Sequence, residues 1–194
     1  MSLVNVPHQS HSPPTAGSRL HRPALRAAIL YVVASIGCGA TATAATVSRS
    51  TVVDGDPSAI WAWIGPFCAI RNWLPPVGTC SEDGATPPTR TLVTRDGTAT
   101  FVERQVARRD DKHFYSYTFL SSPLPVTHYT ATIRVAAVDQ VRSRVTWRGT
   151  YTPAPGKERV AKDALNGIYK AGLDSIRAQA QQRFAPVALN RRTP

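Results

Sequence analysis

The feature that most constrains this chain is a change of apolar period. From residue 89 to about residue 152 apolar side chains recur at every second position, and from 157 to 184 they recur every three or four. In the second stretch Ala161, Leu165, Ile168, Tyr169, Gly172, Leu173, Ile176 and Ala180 form one stripe on a proline-free segment. A long amphipathic helix must bury that stripe, and the apolar face available to it is the inner side of the preceding strands.

Those strands can be registered from the residues. TRTLVT (89–94) and the segment 98–108 flank Asp96-Gly97, a strong hairpin signal. With these two residues as the loop, Arg90 faces Glu103 and Leu92 faces Phe101. Alternation then puts Arg90, Leu92, Phe101, Glu103 and Gln105 on one face, and Arg95, Val102, Arg104 and Arg108 on the other. Further on, Tyr115, Tyr117 and Phe119 share a side. So do Tyr129, Ala131, Ile133 and Val135, and then Val145, Trp147, Gly149 and Tyr151, each set alternating with polar residues rich in Thr and Arg. Ahead of them, a β-branched run at 47–53 leads through Asp54-Gly55-Asp56-Pro57 into two short helices over 58–71, broken at Gly65-Pro66. The expected class is α+β, with a strand, two short helices, about six more strands and a long terminal helix. A curved antiparallel sheet of about six to seven strands would wrap that helix. A pocket is expected where aromatic strand faces and helix do not fully interdigitate.

The first 44 residues read as a presequence. Residues 1–26 hold no acid and three arginines, Arg19, Arg22 and Arg26; AAILYVVASI follows at 27–36, then small residues ending in Ala42-Thr43-Ala44. An apolar run of this length is too short to span a bilayer, which takes about 20 residues, and the pattern is that of a secretory signal cut after Ala44. A lipoprotein reading through Cys38 is the weaker one, because Ser35 stands where such a site wants a Leu-like residue. Export leads to a secreted or periplasmic location, with a domain over 45–184 and a tail at 185–194. The formal charge is +11, and removing three arginines from 23 basic residues leaves 20 against 12 acids, or +8. Export makes nucleic acid an unsuitable partner for this charge, and an anionic envelope surface is the sharper alternative to a merely solvated basic face. In an oxidising compartment Cys68 and Cys80, 12 positions apart around Trp73 and Pro75-Pro76, can pair as a disulfide; two buried thiols are the other reading. No metal-ligand spacing, phosphate-cradling glycine loop or nucleophile-base set is present, so neither metal nor cofactor is expected.

The order of elements, together with Val52-Val53-Asp54-Gly55-Asp56-Pro57, Asn72-Trp73-Leu74-Pro75, Arg90-Thr91-Leu92, Glu103, Trp147-Arg148-Gly149 and Ile168-Tyr169-Lys170-Ala171-Gly172-Leu173, resembles the SRPBCC superfamily. These are the helix-grip proteins related to START lipid-transfer domains and birch-pollen-type allergens, and the nearer likeness is to the polyketide cyclase/dehydrase-like bacterial branch. The likeness covers about residues 46–180. It implies an apolar cavity between sheet and C-terminal helix, entered near the loops after the short helices.

Within that fold the candidate ligand-binding residues are Trp73, Arg90, Leu92, Phe101, Glu103, Tyr115, Tyr117, Tyr129, Trp147, Tyr169 and Leu173. Arg90 and Glu103 form either a charge pair lining the cavity or an exposed cross-strand bridge, and the aromatics are either cavity lining or core. His113 and His128 are expected in solvent. The leading reading is a noncatalytic, exported, monomeric protein that holds a small hydrophobic molecule, a lipid or an aromatic metabolite. The alternatives are a cyclase/dehydrase-type enzyme with Glu103 as acid/base, and a periplasmic accessory protein acting through its basic face.

Overall fold

The computed structural model describes residues 43–184. The presequence up to residue 42, with Cys38, and the tail from 185 lie outside them. The chain runs β1 (Ala45–Asp54), α1 (Pro57–Ile64), a first 3-10 turn (Phe67–Ala69; a second, Asp110–Lys112, joins the fourth and fifth strands), α2 (Ile70–Trp73) and β2 (Val77–Glu82). It continues through β3 (Thr89–Thr94), β4 (Thr100–Arg109), β5 (Phe114–Ser121), β6 (Val126–Ala137) and β7 (Arg142–Pro153), and ends in α3 (Glu158–Phe184). All seven strands form one antiparallel sheet in the order β1-β7-β6-β5-β4-β3-β2. The sheet curves around α3, as expected for an α+β helix-grip fold.

Local chemistry explains the boundaries. Asp56 caps α1, its Oδ1 accepting from the amides of Ser58 and Ala59 at 3.0 Å, with Pro57 in the first turn. Gly65-Pro66 then separates α1 from the 3-10 turn and α2. The β3–β4 register is the expected one, Arg90 opposite Glu103 and Leu92 opposite Phe101. The loop is wider than two residues, however. Thr94 is bonded to Ala99, and the Arg95 amide and side chain turn away to the carbonyls of Pro76 and Pro75. Asp96 holds the turn by accepting from the Thr94 hydroxyl and from the amide and hydroxyl of Thr98.

Arg108 departs from its expected outward side. A β-bulge between Gln105 and Ala107 shifts the alternation, so Arg108 pairs with the inward-facing Tyr115, donates to the Gly65 carbonyl at 2.9 Å and lies over the Trp61 ring. The stripe of α3 is buried along its length, with Ile168 half exposed. Gly172 permits a close approach: a Cβ there would lie 2.9 Å from Trp147 and 3.1 Å from Leu74.

Candidate functional site: a one-ended cavity behind a buried ion pair

The interior of the curved sheet is solid at one end and open at the other. At the solid end Tyr115 is enclosed by Trp61 and Phe67 from the short helices, with ring centroids 5.9 and 5.4 Å away. Under the middle of α3, Trp147 stacks on Tyr169 at 4.2 Å and meets Trp73 edge-on at 5.5 Å, leaving no space between sheet and helix. Beyond them, towards the β3–β4 turn, the β5–β6 loop and the N-terminal half of α3, lies a cavity of about 290 Å³. Its wall is almost wholly apolar and includes Pro76 and Val77 just after α2, where the opening was expected.

Of the candidate residues, Leu92, Phe101, Glu103, Tyr117, Tyr129 and Trp147 line this cavity. Trp73, Arg90, Tyr115, Tyr169 and Leu173 do not: they are buried behind the wall, because the short helices and the close Gly172 contact fill the end of the interior they face. Phe119, stacked on Tyr129 at 3.8 Å, is wall that the candidate set lacked, although its place in the Tyr115–Tyr117–Phe119 alternation marked it. Ile70 also joins the wall from a short helix, whose spacing of three and four marked it as apolar, and Leu74, Pro123 and Leu124 join it at positions that no period reports.

The polar feature of the wall is Glu103. It is 3% exposed and pairs with Arg90, which is fully buried. Arg90 Nε donates to Glu103 Oε2 at 2.6 Å and Nη2 lies 2.6 Å from the same oxygen, while Nη1 donates to the Phe67 carbonyl. The guanidinium plane also covers the Phe67 ring, 4.0 Å from its centroid. Burial works most strongly against the charge on Arg90, but Glu103 together with Tyr115 and Tyr117 more than compensates, so the guanidinium stays charged. Burial also pushes the Glu103 carboxyl above the usual glutamate range, with Arg90 pulling it back only in part. The result is a desolvated carboxyl whose Oε2 is held by arginine and whose side chain faces an apolar space.

A second polar element crosses the wall. Trp147 Nε1 donates to the Tyr117 hydroxyl at 3.1 Å, which is 3.2 Å from that of Tyr129, itself 2.7 Å from that of Tyr169. Burial raises the phenols of Tyr117, Tyr129 and Tyr169 above the usual tyrosine range, so all three are neutral at physiological pH. Neither histidine among the described residues reaches the cavity: His128 is exposed, and His113 is half-buried with Nε2 3.5 Å from the Ser58 hydroxyl. Cys68, beside the Arg90–Phe67 contact, is joined to Cys80 on β2, Cα to Cα 5.5 Å.

Comparison with known proteins fits this geometry. Residues 44–181 match the family described as polyketide cyclase/dehydrase and lipid transport. The chain belongs to that family. Among solved structures it is similar to the protein XoxI from Bacillus cereus, with 30% identity, a TM-score of 0.68 and coverage of 72% of this chain and 97% of that one. The Zhui aromatase/cyclase from Streptomyces shares the fold at 16% identity and a TM-score of 0.60, covering 73% and 96%. Norcoclaurine synthase from Thalictrum flavum, solved with dopamine and hydroxybenzaldehyde, shares it at 15% and 0.59, covering 74% and 90%. No curated protein matches the sequence.

Proposed function

We propose that this polyketide cyclase/dehydrase-family protein is an exported carrier that holds a small ring-bearing metabolite in its cavity without transforming it. The observation that carries the reading is the pairing of an apolar cavity with one desolvated carboxyl, Glu103, whose partner Arg90 is anchored from behind by the Phe67 carbonyl. Aromatic walls supply most of the contact, and the carboxyl orients one polar group of the guest. A volume of about 290 Å³ lies at the lower edge of small-molecule sites, roughly 300–1,000 Å³. It therefore suits one or two rings better than a two-chain lipid. Export is supported by the leader pattern and by the start of β1 at Ala45, which lets a cut after Ala44 leave every strand whole. N-terminal sequencing of the protein from the exported fraction should begin at Ala45.

Native mass spectrometry of that fraction should show a retained small molecule. Ala99→Trp, which plugs the wall without touching the ion pair, should remove it. A molecule that survives the plug sits elsewhere and refutes the cavity reading.

A second reading, proton-transfer catalysis of the cyclase/dehydrase kind, is favoured by the raised carboxyl of Glu103 near neutral phenols. The two readings part on Glu103→Gln: an enzyme keeps its ligand and loses turnover, whereas a carrier shows altered affinity and no turnover in either form.

A further inference from the structure

The outer face of the sheet has a pattern that the cavity does not use. Strands β4 to β7 contain one acidic residue, Glu103, which faces inward, and no lysine; their cations are all arginines. The register sets the outward residues in rows across the strands. Arg104, Thr118, Thr130 and Thr150 lie side by side; Ser116, Thr132 and Arg148 form the next row, then Phe114, Arg134 and Thr146. Arg144 follows, opposite Ala136. Arg104, Arg134, Arg144 and Arg148 are exposed, and no ion pair among the described residues engages them. Arg134 is opposite Thr146 and so lies diagonal to both Arg144 and Arg148, roughly 7–8 Å from each. Like charges at that spacing repel one another, and the acid that shares this face, Asp54 on β1, lies opposite Arg142 and diagonal to Arg144, leaving Arg134 and Arg148 without one beside them.

We propose that this face binds an acidic polysaccharide laid across β6 and β7. Planar guanidinium groups grip carboxylate or sulfate in a fork, and the Ser and Thr hydroxyls between them suit a chain that itself carries hydroxyls. Two other polyanions fit less well. A bilayer favours an apolar wedge beside the basic groups, and the exposed large apolar residues, Val106, Leu120, Val138, Val141 and Val160, lie outside the arginine triangle. Single-stranded nucleic acid needs stacking platforms, and the aromatic on these rows, Phe114, is covered by the Arg134 guanidinium at 4.3 Å.

The test titrates the full chain with heparin fragments, polygalacturonate, phosphatidylglycerol vesicles and nucleic acid at one ionic strength. The tightest binding should be to one of the two polysaccharides, and which of them wins names sulfate or carboxylate as the recognised group. Arg134→Gln/Arg144→Gln/Arg148→Gln should weaken it by about tenfold or more, since three charge-assisted contacts are lost. Lys157→Gln/Arg159→Gln/Lys162→Gln, an equal change of net charge at exposed positions on the α3 side, should leave affinity within about threefold. If the outer-face triple does not fold, Arg148→Gln alone should still cost about threefold. Equal losses in the two triples, tightest binding to vesicles or nucleic acid, or no binding to either polysaccharide would overturn the proposal.

Discussion

Glu103 and Arg90 hold each other in the buried interior, and their energetics are lopsided. Glu103→Gln leaves the Arg90 charge without its partner and should destabilise the fold by about 3–5 kcal/mol. Replacing both, as in Arg90→Met/Glu103→Leu, should cost far less, because two desolvated ions are exchanged for apolar volume. Chemical denaturation of the single and double variants checks this, and equal losses would show that the pair acts only as packing. The pairing itself was readable in the hairpin, because Asp96-Gly97 and a period of two set Arg90 against Glu103. Which way the pair points was not: Arg95, Arg104 and Arg108 on the opposite face argued for inward, yet Arg108 itself turns inward, and it is the Phe67 carbonyl, brought up by the first 3-10 turn, that joins Glu103 in holding the buried guanidinium.

Among the elements, α3 is the one whose position depends on a missing side chain. In a helix interior Gly→Ala ordinarily adds stability, by roughly 0.5–1 kcal/mol. At position 172 the added methyl would press on Trp147, Leu74 and Trp73, so Gly172→Ala should instead destabilise by about 1–3 kcal/mol. A thermal melt that moves upwards would show that the helix can lift off the sheet without loss. The Cys68–Cys80 link works on the other wall, closing the loop that carries Ile70, Leu74, Pro76 and Val77 to the cavity. Cys68→Ser/Cys80→Ser should lower stability by up to about 3 kcal/mol. The long stripe, the capped short helix and the strand alternation were all legible as patterns. The bulge at Gln105 was not, and it is what turned Arg108 inward against the expected alternation.

For the molecule as a whole, the buried phenol network predicts the response to alkali. Tyr117, Tyr129 and Tyr169 have folded-state pKa values raised by burial. Their contribution to stability is complete below the ordinary phenol pKa of about 10 and is lost as pH rises through the raised values. Stability should therefore hold through neutral pH and fall steeply above about pH 10, with phenolate absorbance appearing together with unfolding. Phenolate that titrates in the folded protein near its ordinary value would show that water reaches the network.

The residues by themselves determined the class, the element order, the β3–β4 register and the apolar face of β5, β6 and β7, because those properties follow from periodicity and local turn chemistry. The tertiary structure decided where the space is. Whether an inward aromatic lines a cavity or fills the core depends on what the short helices and α3 place opposite it, and those contacts join residues that no local pattern relates. Trp73, Tyr115 and Tyr169 became packing for that reason, and Phe119 and the β5–β6 loop became wall.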